Sequence, residues 1–207
     1  MSQYEQAIDV SWHQGDIDWE KVKNAGIKHV MIKATEGFTI QDHKFLYNWA
    51  KAQENGIHPK AYHYFKALSS TPTEQGVNIS KVLGQCGFNN DKDILAIDIE
   101  EGGNQRATAM QIAHNLYELI VDLESKQIRN IYIYCSNNYW ENHVNWQAYD
   151  FSKYPLWIAS WHDPNDLPLS PQIPTTWQNK GWAFWQYSDH GKIDGIDGYV
   201  DLDFIKS

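Results

Sequence analysis

The sequence has few of the features that stabilise small secreted scaffolds or bind metals. Its 207 residues include only two cysteines, Cys86 and Cys135, which are too few for a disulfide framework. Cys135 ends an apolar run, where a buried thiol is the usual interpretation. His58 and His63 have no partner at the spacing of a zinc motif. We therefore expect no metal site and no cofactor.

Positive charge and long apolar runs are also scarce. The chain has 17 Lys and Arg against 26 Asp and Glu, a net charge of −9, and its basic residues form no cluster. Nucleic-acid binding requires a basic surface, so we exclude it. No run of about 18 apolar residues could span a bilayer, so we expect no stable membrane association. The first six residues lack the basic and apolar segments of a signal peptide.

The composition is that of a globular domain rich in aromatic residues. Hydrophobic residues make up 42% of the chain and charged residues 21%, with ten Trp and twelve Tyr. Large flat side chains fill cores, and they also form platforms on which ligands stack. A chain of this length fits one domain with a sizeable core, and no linker or repeat interrupts it. We expect a single domain over residues 1–207, and a monomer.

Strand and helix patterns alternate along the first two thirds of the chain, which predicts βα units and a parallel sheet. One helix follows Asp42 and ends at Gly56, the next begins with a capping box at Thr71, and the clearest covers 108–126. After Tyr149 no long helical pattern separates the strands. The predicted strands are 7–10, 29–33, 58–65, 94–99, 131–135, 156–159, 183–187 and 199–204.

This order predicts an α/β fold, an irregular TIM-like barrel in which five βα units precede three strands with few helices, or (β/α)5(β)3. A full (β/α)8 barrel usually needs about 250 residues. The loss of the last helices explains how a barrel can form from a shorter chain. The stretch 162–178 is rich in proline, which disfavours a helix there.

Acidic residues fall where predicted strands end. Asp98 and Glu100 are two residues apart, so on a strand both point to one face, at the carboxyl end where β/α barrels carry out catalysis. A pair of carboxylates on a concave face is what glycoside hydrolysis requires. Taken alone, such a pair is more often simply solvated at a strand end.

Two further acids strengthen the case for a site. Asp9 lies in the first strand and Asp201 in the last, each with apolar neighbours, and these strands are adjacent in a closed barrel. A cluster of like charges keeps a proton at neutral pH, as a general acid requires. We expect Asp201 to lie in the cleft and Asp203 to matter little, with the reverse assignment as the alternative.

Ordered motifs along nearly the whole chain resemble those of the family 25 glycoside hydrolases, which are muramidases of lysozyme and endolysin type. The motifs are DVSWHQG at 9–15, IKATEG at 32–37, AYHYF at 61–65, IDIE at 97–100, LWIA at 156–159, FWQY at 184–187 and GYVDL at 198–202. The resemblance implies the barrel described above. It also implies hydrolysis, with retention, of the β-1,4 bond between N-acetylmuramic acid and N-acetylglucosamine in peptidoglycan.

The resemblance also implies roles for individual residues. Glu100 matches the general acid, and Asp98 matches a second carboxylate that acts as nucleophile or orients the substrate acetamido group. Asp9 and Asp201 match acids of the charge network that contact the sugar. The groove-lining matches are Tyr62, Trp157, Gln186 and Glu36. For each aromatic residue, filling the barrel core is the competing interpretation.

Two other functions remain to be weighed against the muramidase. A chitinase-like barrel would carry an aspartate two residues before Asp98, where this chain has Ala96. An inactive sugar-binding barrel would not need all four acids. We also expect no separate cell-wall-binding domain, and action at the cell wall after phage-type release or removal of an export signal.

Overall fold

The computed structural model describes residues 4–68, 70–163, 167–168 and 170–206. Its nine strands are β1 (Tyr4–Val10), β2 (His29–Glu36), β3 (Ile40–Gln41), β4 (His58–Tyr64), β5 (Ile94–Ile99), β6 (Asn130–Ser136), β7 (Leu156–Ala159), β8 (Phe184–Gly191) and β9 (Val200–Lys206). Its α-helices are α1 (Trp19–Asn24), α2 (Phe45–Glu54), α3 (Pro72–Leu83), α4 (Ala109–Ser125) and α5 (Asn137–His143). No helix in these ranges is long and apolar enough to cross a membrane.

Eight of the strands close into a barrel. The sheet runs in the order β1-β9-β8-β7-β6-β5-β4-β2, and β1 also pairs with β2, which completes the circle. The two-residue strand β3 pairs with the end of β2 outside this circle. Helices follow β1, β3, β4, β5 and β6, and three strands come after the last helix. The predicted (β/α)5(β)3 architecture is confirmed.

The last strand differs in direction from the rest. β1, β2 and β4–β8 are parallel to one another, whereas β9 is antiparallel to both of its neighbours, β1 and β8. The strand pattern did not predict this direction. Its effect is that the amino-terminal end of β9, not its carboxyl end, lies beside the carboxyl ends of the other strands.

The predicted helices α3 and α4 begin at the capping residues that the sequence indicated. In α4 the side chain of Thr108 accepts from the Gln111 backbone and the Gln111 side chain accepts in return, so the first turn is capped. The same reciprocal pair, Thr71 and Glu74, begins α3. The apolar face of α4 is buried, as its periodicity predicted. No α-helix occurs in the described part of 162–178, although Pro164 lies outside the described residues.

Alternation along the strands separates two layers of buried side chains. One large cluster fills the space between the strands and the surrounding helices. The inward-pointing residues form a second cluster inside the barrel: Ala7, Met31, Ala96, Tyr134, Trp157, Phe184 and Ile205. The carboxyl ends of the parallel strands form what we call the upper end of the barrel. Because successive residues point to opposite faces, the next inward-pointing residues lie two positions nearer to this end, and they are the polar residues described below.

Candidate active site

A cavity of about 360 Å³ opens at the carboxyl ends of the parallel strands. This is the end of a β/α barrel at which catalytic groups are found. Sequence reasoning brought together several of its lining residues: Asp9, Tyr62, Asp98, Glu100, Trp157, Gln186 and Asp201. It did not assign a role to others, among them Ser11, Gln14, Tyr134 and Trp161.

Three aspartates from the first and last strands form one cluster. Asp9 lies directly opposite Asp201 in the β1–β9 register, and the Asp9 carboxyl group contacts those of Asp201 and Asp203. Asp201 lines the cavity, whereas Asp203 lies beneath it, fully buried, and accepts a hydrogen bond of 2.7 Å from Trp157 Nε1.

Asp201 lies in the cleft, where it was expected, and Asp203 also faces the barrel interior; that Asp203 matters little for activity stays a prediction. Residues two apart on a strand share a face, so both side chains point into the barrel. They differ in depth rather than in direction. Asp203 therefore belongs to the acid cluster together with Asp9 and Asp201.

The acid cluster holds protons at neutral pH. Burial, reinforced by the charges of Asp201 and Asp203, raises the pKa of Asp9 well above its usual range. Burial likewise raises the pKa of Asp203 to about 8 and that of Asp201 to about 6. Buried like charges cannot all ionise, so these three groups titrate together rather than one by one.

The second pair of acids lies across the cavity on β5. Asp98 is inward-facing and 5% exposed, and its Oδ1 atom has no hydrogen-bond partner among the described residues. Burial, followed by the negative charge of Glu100, raises the pKa of Asp98 well above its usual range, while Lys33 and Lys66 oppose the rise. Glu100 directly follows the strand and is half-buried, so it can contact a ligand in the cavity.

Gln186 connects the acid cluster to the rim of the cavity. Its side chain is buried, and its Nε2 atom donates to Asp9 Oδ2 over 2.7 Å. Its Oε1 atom accepts from Tyr134 over 2.8 Å and from Trp161 Nε1 over 2.7 Å. The position of Tyr134 was open to prediction, because it is an inward residue at the end of a strand. Trp161 lies in a loop, where no periodic pattern identifies it.

Glu36 is placed differently from the other predicted groove residues. It is not among the residues that line the cavity, and it forms ion pairs with Lys33 at 2.7 Å and with Lys66 at 3.1 Å. Although burial acts against it, hydrogen bonds from these lysines lower the pKa of Glu36. Both ammonium groups also lie over the ring of Tyr64, at 4.8 and 4.5 Å. Glu36 therefore fixes two cations around Tyr64.

A second cavity, of about 460 Å³, adjoins the first. The two share Tyr64, Glu100, Tyr134 and Trp161, and the second is also lined by residues of α5, including Tyr139 and His143. Asp9, Asp98 and Asp201 line only the first cavity. An extended ligand could therefore lie across both cavities with Glu100 at their junction.

The site contains carboxylates without a metal-binding arrangement. No group of three or more His, Cys, Asp or Glu side chains in the described part of the chain is placed to hold a metal ion. Cys86 and Cys135 are both free thiols. What the site offers chemically is protonated and ionised carboxyl groups facing one another across a cavity, which suits acid–base and nucleophilic chemistry.

Comparison with known proteins identifies the family to which this barrel belongs. The sequence model of glycosyl hydrolases family 25 matches residues 8–196. The chain belongs to this family. Family 25 membership agrees with the placement of four acids at the catalytic end of the barrel, and it assigns the chain to the glycoside hydrolases of the lysozyme class.

Curated and solved relatives support the assignment. Lysozyme M1 of Streptomyces globisporus is 30% identical over 203 residues, which cover 95% of this chain and 66% of that protein. The autolytic lysozyme of Clostridium acetobutylicum is 30% identical over 196 residues, 95% of this chain and 54% of that protein. This chain thus spans between half and two thirds of the length of these relatives. The crystal structure of a bacterial lysozyme from Streptomyces coelicolor superposes with a TM-score of 0.83 at 27% identity and covers 100% of this chain and 94% of its own.

Proposed function

We propose that this family 25 chain is a muramidase that hydrolyses the β-1,4 bond between N-acetylmuramic acid and N-acetylglucosamine in peptidoglycan. The observation that carries the proposal is the position of Glu100. It borders both cavities, whereas Asp9, Asp98 and Asp201 line only the first. A group that protonates the oxygen between two sugars must reach both of them, and a group that acts on the reacting carbon must reach only one.

In the proposed mechanism Glu100 is the general acid. Its proton goes to the glycosidic oxygen as the bond from that oxygen to C1 of N-acetylmuramic acid breaks. Asp98 acts in its ionised form, which the charges of Lys33 and Lys66 favour against the effect of burial. It stabilises the positive charge at C1, either by attacking C1 itself or by orienting the substrate acetamido oxygen to attack. Ionised Glu100 then takes a proton from water, whose oxygen bonds to C1 as the bond from C1 to Asp98, or to the acetamido oxygen, breaks and the attacking group is restored. Two successive displacements at C1 retain its configuration.

The remaining residues hold the sugar and set the charge of the site. We assign Asp9 and Asp201 to the charge network that contacts the sugar in the first cavity. Tyr62, Trp157 and Gln186 line the same cavity. Glu36 contributes indirectly through the lysines beside Tyr64. Because no step needs a metal or an organic group, we propose that the reaction requires no cofactor.

The proposed substrate places the protein at the bacterial cell wall. We propose that it acts as a monomer on glycan strands, with one catalytic barrel formed by the described residues and no stable membrane association. A net charge of −9 disfavours binding of this barrel to anionic wall polymers, and we assign the barrel's own affinity for glycan strands to the groove. Release with phage progeny and export as a processed enzyme are both compatible with this role.

Product analysis on purified muropeptides tests the proposal. Digestion should create new reducing ends on N-acetylmuramic acid, detected by borohydride reduction and mass spectrometry, and should reduce the turbidity of a peptidoglycan suspension. New reducing ends on N-acetylglucosamine instead would indicate a different glycosidase. Binding to peptidoglycan without any new reducing end would indicate a sugar-binding protein, and either result would overturn the proposal.

A further inference from the structure

Trp161 combines two properties that seldom occur together. Its side chain is 56% exposed, yet its indole Nε1 atom donates a 2.7 Å hydrogen bond to Oε1 of Gln186, a residue that is only 3% exposed. It lies just after β7 and lines both cavities. Through its hydrogen bond to the buried amide of Gln186, this exposed tryptophan can influence Asp9, which the same amide contacts.

The chemistry of the indole removes an ambiguity in the position of Gln186. A side-chain amide has an oxygen that accepts and a nitrogen that donates, and the two ends are nearly equal in shape. The Tyr134 hydroxyl, the other group at Oε1, could donate to the oxygen or accept from the nitrogen. An indole N–H can only donate. Trp161 is thus the partner that forces Oε1 toward the rim and Nε2 toward Asp9.

The orientation of this amide determines what Asp9 can do with a proton. Gln186 Nε2 donates to Asp9 Oδ2 over 2.7 Å, which favours a negative charge on that oxygen. In the reversed orientation Oε1 would face Asp9 and would accept a hydrogen bond from a protonated carboxyl group. With the observed orientation, the proton of the acid cluster must lie on the other side of Asp9, toward Asp201 and Asp203.

We propose that the Trp161 N–H fixes the amide of Gln186 so that its nitrogen faces Asp9, and thereby keeps the shared proton of the acid cluster between Asp9 and β9. Trp161 is a positioning residue that acts through Gln186. This role rests on the proposed function only for its consequence in hydrolysis. The hydrogen-bond geometry itself does not depend on the substrate.

Other charged and titratable groups surround Asp9, and none of them can replace Trp161. From β9 come Asp201 and Asp203, from β4 and β6 the hydroxyls of Tyr62 and Tyr134, and across the cavity lie His13, Lys33, Tyr64, Asp98 and Glu100. Of the described neighbours of Gln186 Oε1, Tyr134 can reverse its role and Trp161 cannot.

The test is a titration of Trp161→Phe without substrate. This substitution keeps an aromatic ring and removes the N–H. NMR follows the carboxyl ¹³C signals of Asp9, Asp201 and Asp203 against pH. The midpoint of the Asp9 signal should move to higher pH by about one unit, because a hydrogen bond to the ionised form is lost. In hydrolysis assays the acidic limb of the kcat profile should move in the same direction while KM stays within about twofold.

Two variants control for other effects of the substitution. Trp12→Phe changes another exposed tryptophan, which lines neither cavity, and should leave the titration unchanged. Tyr134→Phe removes the reversible partner but leaves the indole, so its shift should be smaller than that of Trp161→Phe. An Asp9 titration that is the same in Trp161→Phe and wild type, or that moves equally in Trp12→Phe, would overturn the proposal. Because no substrate is present, this result is independent of whether peptidoglycan is hydrolysed.

Discussion

The two ends of the barrel both contain clusters of charged groups, but they arrange them in opposite ways. At the upper end the carboxyl groups of Asp201 and Asp203 both contact that of Asp9, and Asp98 and Asp203 each keep a carboxyl oxygen without a hydrogen bond among the described residues. At the lower end, formed by the amino-terminal parts of the parallel strands, each charged group contacts a complementary partner.

The lower end is a chain of donors and acceptors. Lys60, which is 7% exposed, lies 3.0 Å from Nδ1 of His29, and Nε2 of His29 lies 2.7 Å from Glu5. With the ammonium group donating to Nδ1, the imidazole proton is assigned to Nε2, which donates to Glu5. Lys28 completes the chain with a 2.8 Å bond to Glu5, and these bonds, from Lys28 first, lower the pKa of Glu5 to about 2.

The difference separates a scaffold from a reactive site. Where charged groups are paired, as at the lower end, protein contacts already satisfy them and little is left for a ligand. Where acids are held together by the surrounding barrel, their pKa values are raised and their titrations are coupled, as is common at sites of proton transfer. Burial of charged groups alone would not distinguish the two ends; satisfaction of their hydrogen bonds does.

The largest expected effect comes from changing Glu100 at the upper end. Glu100→Gln keeps the shape of the side chain and removes the transferable proton, so activity should fall by about 10²–10⁴ with an unchanged unfolding midpoint. Turbidity loss of peptidoglycan and thermal unfolding measure the two effects. Glu118→Gln, an exposed change on α4, should keep wild-type activity. If Glu100→Gln cleared peptidoglycan within a few-fold of wild type, another group would have to be the acid.

Asp98→Asn should cost nearly as much, because both proposed roles of Asp98 need a negative charge. We expect a loss of at least about 10² in rate. Mass spectrometry after incubation of the wild type with a fluorosugar should find a labelled Asp98 peptide if this side chain attacks C1. Inhibition by a thiazoline analogue without labelling would indicate attack by the acetamido group. Normal hydrolysis by the Asn variant would exclude both roles.

Asp203→Asn should alter the pH dependence of stability more than activity. The native pKa of Asp203, about 8, lies above its reference value of 3.8, so the native state binds more protons between these values. Asp203 should therefore contribute a fall in wild-type stability of about 1 kcal/mol per pH unit from about pH 5 to 7, and the variant should lose this contribution. Urea unfolding across this range measures it, with Asp197→Asn in an exposed loop as control. If the free energy of unfolding depended on pH with equal slope in the two variants, Asp203 would not share protons with the acid cluster.

The smallest effect on activity is expected at the lower end. Burial lowers the pKa of Lys60 to about 8 from 10.5, so the unfolded state binds more protons between these values and wild-type stability should rise from about pH 8 to 10. Lys60→Met should abolish that rise and leave activity within about twofold. At pH 7 the variant should be more stable by about 1 kcal/mol, since relief of the buried charge exceeds the lost bond to His29. Lys23→Met, at an exposed site, should not change the slope.

Much of the fold could be predicted because its signals are local. Periodicity and capping residues identified α4 and the start of α3, and apolar runs identified the strands of the barrel. The direction of β9 could not be predicted, because an alternating pattern reads the same in both directions. The short helix α5 and strand β3 carry too few residues for a periodic signal.

The site was predictable where strand alternation alone decides the outcome. It brought Asp98 and Glu100 to one face, and the same rule applied to Asp201 and Asp203 would have placed both inside. Strand alternation does not say how far a side chain lies from the opening of the barrel, so the position of Asp203 beneath the cavity could only be found from the structure. The roles of Gln186 and Trp161 depend on contacts between β8 and a loop, and these have no signature in either segment alone.

The reversed direction of β9 has a consequence for how this barrel could be joined to other chains. Tyr4 is paired with Lys206 in the β1–β9 register, at the end of the barrel opposite the catalytic cavity. A short peptide could therefore connect these two residues, and the chain could be reopened at an exposed turn such as that around Gly87, giving a circular permutant with the same strand order in space. A partner fused at either residue would leave from the lower end, and the opening of the cavity at the other end would stay unobstructed.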